Sequence, residues 1–400
     1  MGKEKLPDGW KWRKLSDAAK IIMGQSPPGT SYNQKGDGEP FLQGKAEFGE
    51  ISPNNIQYTT EPKKMAPMGS VLISVRAPVG DVNVSNMDYC IGRGLASISL
   101  CNGDNLFLYY LLQYLKPELE NNSTGSTFKS ISKSHLSNLV IPIPPLDVQQ
   151  EIVIKIHNQI EEIKRIKERV EGNLKAASDL NNAYLKGIFE EVITQNYPVI
   201  KLKKLTSKIG SGSTPRGGKS VYLDEGIPFV RSMNVHFNSF KKEGLAHVSK
   251  EIDASMKNTR VRKDDVLLNI TGASIGRVCV VPDEMCPANV NQHVSIIRTN
   301  KDLIPQYLSY YISNPNCQKF IMASESGATR QALTKTKIEN FDIPLPPFET
   351  QQQIVEQLNE INELSKILMN QINSQLEAVN KLPASILNEI FGKYEIPEKV

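Results

Sequence analysis

The 400-residue sequence has little of what several protein classes require. Its few cysteines are scattered, odd in number and never spaced as Cys-x-x-Cys, at positions Cys90, Cys101, Cys279, Cys286 and Cys317. This pattern argues against a disulfide framework and against a zinc site. No apolar run approaches the ~20 residues of a membrane span, and the polar start at residues 1–15 does not resemble a signal peptide. We therefore expect a cytoplasmic protein with reduced thiols and no membrane segment.

The sequence also lacks motifs for catalysis. The glycine-rich stretch "GSTPRGGKS" at 212–220 has Ser213 where a phosphate-binding loop requires glycine, and Pro215 interrupts it. There is no Asn-Pro-Pro-aromatic motif and no glycine loop for a methyl donor. We expect no cofactor and no metal bound by this chain, and no catalytic residues.

The charge is distributed unevenly along the chain. The net charge is only +4 at pH 7, but residues 199–343 carry 21 basic and 13 acidic side chains, and residues 344–400 carry 4 basic and 8 acidic ones. Residues 1–146 are weakly positive and residues 147–198 weakly negative. Two positive segments, each followed by a negative one, favour a polyanionic partner for the positive segments.

The chain contains an internal repeat. The stretch "IPIPPLDVQQEIV" at 141–153 returns as "IPLPPFETQQQIV" at 343–355, and the match extends without a gap over residues 125–191. Upstream, "GQSPPG" at 24–29 matches "GSTPRG" at 212–217, and "VLISVRAPVG" at 71–80 matches "VLLNITGASIG" at 266–276. The chain is thus two copies of one unit, each with a variable first part and a nearly constant second part.

The constant part is predicted to be a long helix. From Asp147 onward apolar residues recur every seven positions, as at Ile156, Ile163 and Val170. Such spacing is typical of a coiled coil. The paired prolines before each repeat end the preceding segment, and Pro383 should kink the second helix near its end.

The variable parts predict mostly-β α/β domains, with short β-branched runs between Gly- and Pro-rich turns and helices near 106–116 and 303–313. We expect an α/β fold: two such domains, two long antiparallel coiled-coil helices and a pseudo-two-fold internal repeat. The predicted domains are 1–146 and 197–348, with spacer helices at 147–196 and 349–400, the latter including a C-terminal tail.

Several sequence motifs in the two copies resemble those of a known family. "ISVRAPVGDVN", "CIGRGLASI", "GSTFKSISKSHLSNLVIPIPPLDVQQEIV" and "GATRQALTKTKIENFDIPLPPFETQQQIVEQL" resemble the specificity subunits of type I restriction–modification enzymes, in both halves and in the right order. The resemblance implies two target recognition domains, each reading one half of a bipartite, asymmetric site in double-stranded DNA. It also implies that the helices set the distance between the half-sites.

The resemblance further implies partners. The helices would dock two methyltransferase (modification) subunits and, through them, restriction (motor-nuclease) subunits. The specificity subunit would be non-catalytic, whereas its partners would use S-adenosylmethionine, ATP and Mg²⁺. Two alternatives stay open at this point: a stand-alone nuclease or DNA methyltransferase with a cryptic site, and a purely structural coiled-coil scaffold.

Candidate DNA-binding residues are those suited to phosphates and base edges in the variable loops. Phosphates are bound by Lys, Arg and hydroxyl groups, and base edges by Arg, Asn or Gln. In the first copy the candidates are Gln43, Lys45, Arg76, Arg93, Lys129 and Ser130. In the second copy they are Arg231, Ser232, Asn234, Thr271, Ser274, Arg277, Arg330 and Gln331.

The apolar stripe of the helices is wider than a two-residue seam, which leaves a second face for helices of a partner. The predicted partner-binding residues lie near the start and end of each helix. They are Ile152, Val153, Ile156, Ile188, Phe189, Ile354, Val355, Leu358, Ile390 and Phe391.

Overall fold

The computed structural model describes residues 5–54, 57–121, 130–323 and 332–394. The chain forms two compact units, the first from residues 1–171 and 374–400 and the second from residues 172–373. Each unit combines one globule with parts of both long helices. The predicted division placed boundaries between globules and helices, whereas the boundaries of the compact units fall inside the helices.

The first unit contains eleven strands among its described residues. They are β1 Lys11–Lys14, β2 Ala19–Met23, β3 Tyr32–Asn33, β4 Glu39–Leu42, β5 Tyr58–Thr59, β6 Met65–Ala66, β7 Val71–Ser74, β8 Val82–Val84, β9 Tyr89–Ile91, β10 Leu95–Leu100 and β11 Val140–Ile143. Its helices are α1 Leu15–Ala18, α2 Asn105–Asn121, α3 Lys133–Ser137 and the beginning of α4 Leu146–Thr194.

The second unit has a similar order, with two additional helices, Lys250–Ser255 and Pro315–Ala323. Its strands are β12 Val199–Lys201, β13 Thr206–Ser211, β14 Ile227–Val230, β15 Val235–His236, β16 Ser239–Phe240, β17 Ala246–Val248, β18 Arg260–Val261, β19 Val266–Asn269, β20 Val278–Val280, β21 Ala288–Val290, β22 Val294–Thr299 and β23 Asp342–Pro344. Its helices are α5 Lys250–Ser255, α6 Pro305–Ser313, α7 Pro315–Ala323, α8 Lys335–Glu339 and the beginning of α9 Phe348–Phe391.

Both globules are built on the same antiparallel sheet. The strand order is β2-β10-β7-β8 in the first and β13-β22-β19-β20 in the second. The second sheet of each globule differs, with order β3-β5-β4-β9-β6 in the first and β17-β14-β21-β18 in the second. Each second sheet contains one parallel pair, β4–β9 or β14–β21. The copies thus share a core sheet and diverge in the sheet beside it.

The repeated helix motifs close the core of each unit in the same way. In the first unit Phe391, near the end of α9, packs edge-on against Phe107 of α2 at 5.7 Å between ring centroids. In the second unit Phe189, near the end of α4, packs edge-on against Tyr307 of α6 at 5.5 Å. The repeated "IF" at 188–189 and 390–391 therefore fills equivalent positions in the two cores.

Each core joins the start of one long helix to the end of the other. Ile156 of α4 lies in the same apolar cluster as Leu387 of α9, and Leu358 of α9 lies with Leu185 of α4. The two helices are therefore antiparallel, and the predicted α/β class with an internal repeat is confirmed. α9 continues through Pro383 to Phe391 as one helix. Within the described residues, no helix combines the length and apolar character needed to cross a membrane.

Candidate nucleic-acid interface

Five loop segments of the first unit meet at one end of the strands of the core sheet. The segments are 24–26, 42–45, 75–78, 91–95 and 130–131. Backbone hydrogen bonds of 2.7–2.9 Å connect them: Gly24 N to Leu95 O, Gln25 N to Ile91 O, Gly92 N to Leu42 O, Val75 N to Gly94 O and Ile131 N to Val75 O. Because these bonds use main-chain atoms, the side chains of the segments remain free to vary. We refer to these segments as the first loop cluster.

The second unit contains the same arrangement. Its segments are 212–214, 230–234, 270–274, 290–294 and 332–333. Backbone hydrogen bonds of 2.8–3.0 Å connect them: Gly212 N to Val294 O, Ser213 N to Val290 O, Asn291 N to Val230 O, Ile270 N to His293 O and Leu333 N to Ile270 O. We refer to these segments as the second loop cluster. One antiparallel β-bridge closes each cluster. It joins Arg76 to Ser130 in the first cluster and Thr271 to Ala332 in the second.

A glycine is required where two segments of each cluster cross. A Cβ atom on Gly24 would lie 2.1 Å from the Gly92 carbonyl oxygen, and one on Gly212 would lie 2.0 Å from the Val290 carbonyl oxygen. No side chain can be accommodated at such distances. This close approach is the physical reason why "GQSP" and "GSTP" both begin with glycine.

Four of the predicted residues of the first copy lie in the first loop cluster with accessible side chains. Gln43, Arg76 and Arg93 are exposed, and Ser130 is partly buried. Among the described residues neither Arg76 nor Arg93 forms an ion pair, so both guanidinium groups remain available. The structure thus brings together residues that are 17 to 87 positions apart in the sequence.

Lys45 has a different environment. Its Nζ atom lies 2.5 Å from an oxygen of Asp81, and Lys116 lies 2.7 Å from the other oxygen of that carboxylate. Burial raises the pKa of Asp81, but the hydrogen bonds from Lys116 and Lys45 outweigh burial and leave the pKa below its ordinary value. Lys45 therefore braces its own domain, and its prediction as a DNA ligand finds no support in this contact.

Two predicted residues of the second copy also stabilise their own loop. Asn234 is fully buried, and its amide donates to the carbonyl oxygens of Lys241 at 2.9 Å and Glu243 at 3.3 Å. The guanidinium of Arg231 donates to the Gly244 carbonyl and lies 5.6 Å over the ring of Tyr222. A buried amide that is already hydrogen-bonded cannot reach a base edge, so Asn234 is corrected to a structural residue.

Of the remaining predicted DNA-binding residues, four lie on the described part of the second unit and three do not. Ser232, Thr271, Ser274 and Arg277 are partly buried on the second unit. Lys129, Arg330 and Gln331 lie outside the described residues. Burial lowers the pKa of His236, and the nearby charge of Arg277 lowers it further, so Arg277 lies close to that ring.

Sequence reasoning missed two residues of the second loop cluster. Gln292 is exposed, and His293 lies beside it with its Nδ1 atom 2.5 Å from the Thr271 hydroxyl oxygen. The Gln292 amide nitrogen lies 3.2 Å from the other ring nitrogen of His293. By the shared backbone bonds Gln292 occupies the position of Arg93, so aligning "IGRG" with "VNQH" would have identified it.

Several basic side chains of the second unit are already paired with acidic ones. Arg298 donates two bonds of 2.7 Å to the fully buried carboxylate of Asp265. Arg260 pairs with Asp253, Lys263 with Asp283 and Lys242 with Glu284. The buried pair of Arg298 and Asp265 braces the strands that carry the loops. The pairs of Lys263 and Lys242 are exposed. No group of three or more His, Cys, Asp or Glu in the part of the chain that the structure describes could hold a metal ion.

The predicted partner-binding residues lie in the chain's own cores. Ile156, Phe189, Ile354, Leu358, Ile390 and Phe391 are buried, and Ile152, Val153, Ile188 and Val355 pack against them partly buried. Their burial holds the helices to the globules, so these side chains are not the accessible surface. The exposed apolar side chains lie elsewhere on the helices, including Ile154, Leu180, Tyr184, Leu364, Ile367 and Leu368.

The fold and the two loop clusters define a protein with two similar recognition modules in one chain. A sequence profile described as "Type I restriction modification DNA specificity domain" matches residues 7–172 and again residues 195–378. The chain therefore belongs to the family of DNA specificity subunits of type I restriction–modification systems. Its function is recognition of DNA sequence, a non-catalytic role.

Known relatives agree with this assignment. A protein of Methanocaldococcus jannaschii described as the MjaX specificity subunit is 47% identical over 189 residues, which cover 46% of this chain and 44% of that protein. The EcoBI specificity subunit of Escherichia coli is 24% identical over 400 residues, covering 92% of this chain and 82% of that subunit.

Two solved structures share the fold. One chain, from work on complex assembly and conformational transition of the type I restriction–modification system, has a TM-score of 0.73 at 19% identity, covering 96% of this chain and 98% of its own length. The HsdS subunit from Thermoanaerobacter tengcongensis has a TM-score of 0.57 at 20% identity, covering 97% and 98%. At these identities the structures establish the fold alone.

Proposed function

We propose that each loop cluster reads one half of a bipartite, asymmetric site in double-stranded DNA. The observation that carries this proposal is the pair of equivalent clusters, which share their backbone bonds but present different side chains. The first cluster presents Gln43, Arg76 and Arg93, and the second presents Gln292 and His293. Arginine pairs well with guanine and glutamine with adenine, so unlike clusters select unlike half-sites.

A salt series tests this proposal directly. We expect the purified full-length chain to bind duplex DNA with an affinity that falls by at least about tenfold between 50 and 200 mM salt, because phosphate contacts release counterions. Fluorescence anisotropy with a labelled duplex measures the affinity. Binding that does not depend on salt, or no binding at all, would contradict the proposal, and turnover of DNA without partners would indicate an enzyme.

We also propose that the long helices dock two methyltransferase subunits, and through them restriction subunits, in the cytoplasm. The partners would supply S-adenosylmethionine, ATP and Mg²⁺ chemistry, and this chain would bind none of them. Exposed apolar side chains support a docking role. In the second unit Leu180 and Tyr184 of α4 line a groove with Leu364 and Leu368 of α9, and all four are 42–67% exposed.

Replacing one groove residue separates docking from DNA reading. Leu364→Glu places a charge in the groove at a side chain that is 67% exposed, so the fold should be retained. We expect the variant to lose co-purification with the methyltransferase subunit while its duplex affinity stays unchanged. Leu382→Glu, at a half-exposed position of α9 in the first unit, is the comparison variant. Unchanged co-purification of both variants would contradict docking on these faces.

A further inference from the structure

Two buried glutamines occupy equivalent positions in the repeated motif. Gln149 is 1% exposed and Gln351 is fully buried, each in the first turn of its long helix. They are the first glutamine of "DVQQ" and the first of "TQQQ", 202 residues apart. Glutamine is rarely buried so completely unless its amide is fully hydrogen-bonded.

In the first unit the Gln149 amide joins two elements. Its nitrogen donates to the Pro144 carbonyl oxygen at 2.8 Å, and its oxygen accepts from the Asp104 backbone N–H at 2.8 Å. Asp104 immediately precedes α2, the helix that carries Phe107 into the core. A Cβ atom on Gly103 would lie 2.9 Å from the Gln149 amide oxygen, so the backbone there packs directly on the amide.

In the second unit the Gln351 amide makes the same connection. Its nitrogen donates to the carbonyl oxygens of Pro346 and Asp302, both at 3.0 Å, and its oxygen accepts from the Ile304 backbone N–H at 2.9 Å. Asp302 and Ile304 lie within the three residues that precede α6. In the first unit one amide thus joins the beginning of α4 to the segment before α2. In the second unit the equivalent amide joins the beginning of α9 to the segment before α6.

We propose that Gln149 and Gln351 are positioning residues that fix the angle between each globule and its long helix, and thereby set the half-site spacing that the chain accepts. This inference depends on the proposed bipartite reading. An amide with two or three directed bonds defines an orientation, whereas apolar contacts at the same junction tolerate rotation. Both side chains are buried and therefore inaccessible to DNA, so we expect the half-site bases to be read independently of them.

The two units differ in the other hydrogen bonds at the junction between globule and long helix. In the second unit the Tyr307 hydroxyl donates to the Pro344 carbonyl at 2.8 Å, and the Tyr310 hydroxyl donates to Asn359 Oδ1 at 2.8 Å. In the first unit the core position of Tyr307 is occupied by Phe107, which has no hydroxyl. The orientation of the first globule therefore depends more strongly on its glutamine.

The test compares duplexes that differ only in spacing. Duplexes that the wild-type full-length chain selects from a random-sequence pool are resynthesised with one or two base pairs added to or removed from the spacer. One base pair moves a half-site by about 3.4 Å and turns it by about 35°. We expect the wild type to bind these duplexes at least about tenfold more weakly, and Gln149→Met to lose less than about threefold. Gln351→Met should lie between them.

The base preference within each half-site should stay unchanged in both variants. Ile98→Val, a fully buried core position of the first unit, is the matched control for lost stability, and we expect it to keep wild-type spacing discrimination. If Gln149→Met does not fold, Gln149→Glu replaces it, because it keeps an acceptor for Asp104 N–H but cannot donate to Pro144. Full spacing discrimination in the folded glutamine variants would overturn the inference. A wild type that selects no two-block sequence would instead refute the proposed bipartite reading.

Discussion

At the scale of single residues, the difference between the two copies lies in side chains that the shared backbone bonds leave free. Arg93 and Gln292 occupy one position of the two loop clusters, and both are exposed. The backbone N–H of Arg93 donates to the Ser26 hydroxyl at 3.2 Å, so the loop does not depend on the guanidinium. These two residues are therefore a matched pair for testing which half-site each domain reads.

We expect Arg93→Ala to relax base preference in one half-site only, and Gln292→Ala in the other half-site only. Each substitution should cost about tenfold in affinity for the preferred duplex, because it removes one base contact. Selection from a random-sequence pool by each full-length variant measures the preference at every position. Equal loss of preference in both half-sites with either variant would contradict separate reading by the two clusters.

The carboxylate of Asp81 offers a pH-dependent prediction. Its pKa is below its ordinary value of 3.8 in the folded chain, because the bonds from Lys116 and Lys45 outweigh the effect of burial. The ionised form therefore stabilises the fold above pH 4, and this stabilisation is lost as the pH falls through the lowered pKa. Asp81→Asn should lower the free energy of unfolding by about 1 kcal/mol at pH 7, with a smaller difference below pH 4.

Tryptophan fluorescence during urea unfolding measures this effect in the first unit, since both tryptophans, Trp10 and Trp12, belong to it. Asp37→Asn, at an exposed position of the same unit, is the control. A difference between wild type and Asp81→Asn that stays constant from pH 7 to pH 3 would show that the ion pair does not stabilise the fold.

At the same scale, sequence reasoning identified residue types better than their orientations. Arg76 and Arg93 lie exposed in the first loop cluster, but Asn234 turns into its own loop and Lys45 pairs with Asp81. Whether a polar side chain points outward or satisfies nearby backbone carbonyls depends on local dihedral angles and on distant partners. Neither can be read from residue type and spacing.

At the scale of elements, the long helices follow the predicted pattern in part. Ile156, Val170 and Ala177 are buried as the seven-residue period requires, but Tyr184 is half exposed and Leu185 is buried in its place. A straight helix of 3.6 residues per turn drifts from a period of 3.5, so the buried face moves by one residue. The apolar stripe predicted a contact face, but it could not show that the chain's own globules cover most of that face.

Gly172 provides a test of helix stability. It lies inside α4, is exposed, and a Cβ atom there would meet nothing within 4 Å. Gly172→Ala should therefore raise the free energy of unfolding by about 0.5–1 kcal/mol, and the melting temperature by about 1–3 °C. Thermal unfolding followed by circular dichroism measures the shift.

Gly103→Ala is the opposite control, because its Cβ would lie 2.7 Å from Leu100 Cδ1 and 2.9 Å from the Gln149 amide oxygen. We expect this substitution to lower the melting temperature. A lower melting temperature for Gly172→Ala would contradict the continuous helix at that position.

At the scale of the whole molecule, the repeat was the most informative feature of the sequence. It predicted two globules, two helices and their antiparallel pairing, because an element that repeats must meet the same contacts twice. The structure shows which contacts the repeated motifs make. "GQSP" and "GSTP" each allow two loops to cross, and "QQ" places a buried amide at the start of each long helix. "IF" packs into each core. The boundaries of the compact units could not be predicted, since they depend on contacts between distant parts of the chain.

We propose that one chain reads two separate half-sites through its two loop clusters. The most direct measurement is sequencing of duplexes that the full-length chain enriches from a random-sequence pool at about 150 mM salt. Separate reading by the two loop clusters predicts two different blocks of preferred bases, separated by a gap of constant length without preference. A single contiguous block, two identical blocks, or no enrichment would contradict it.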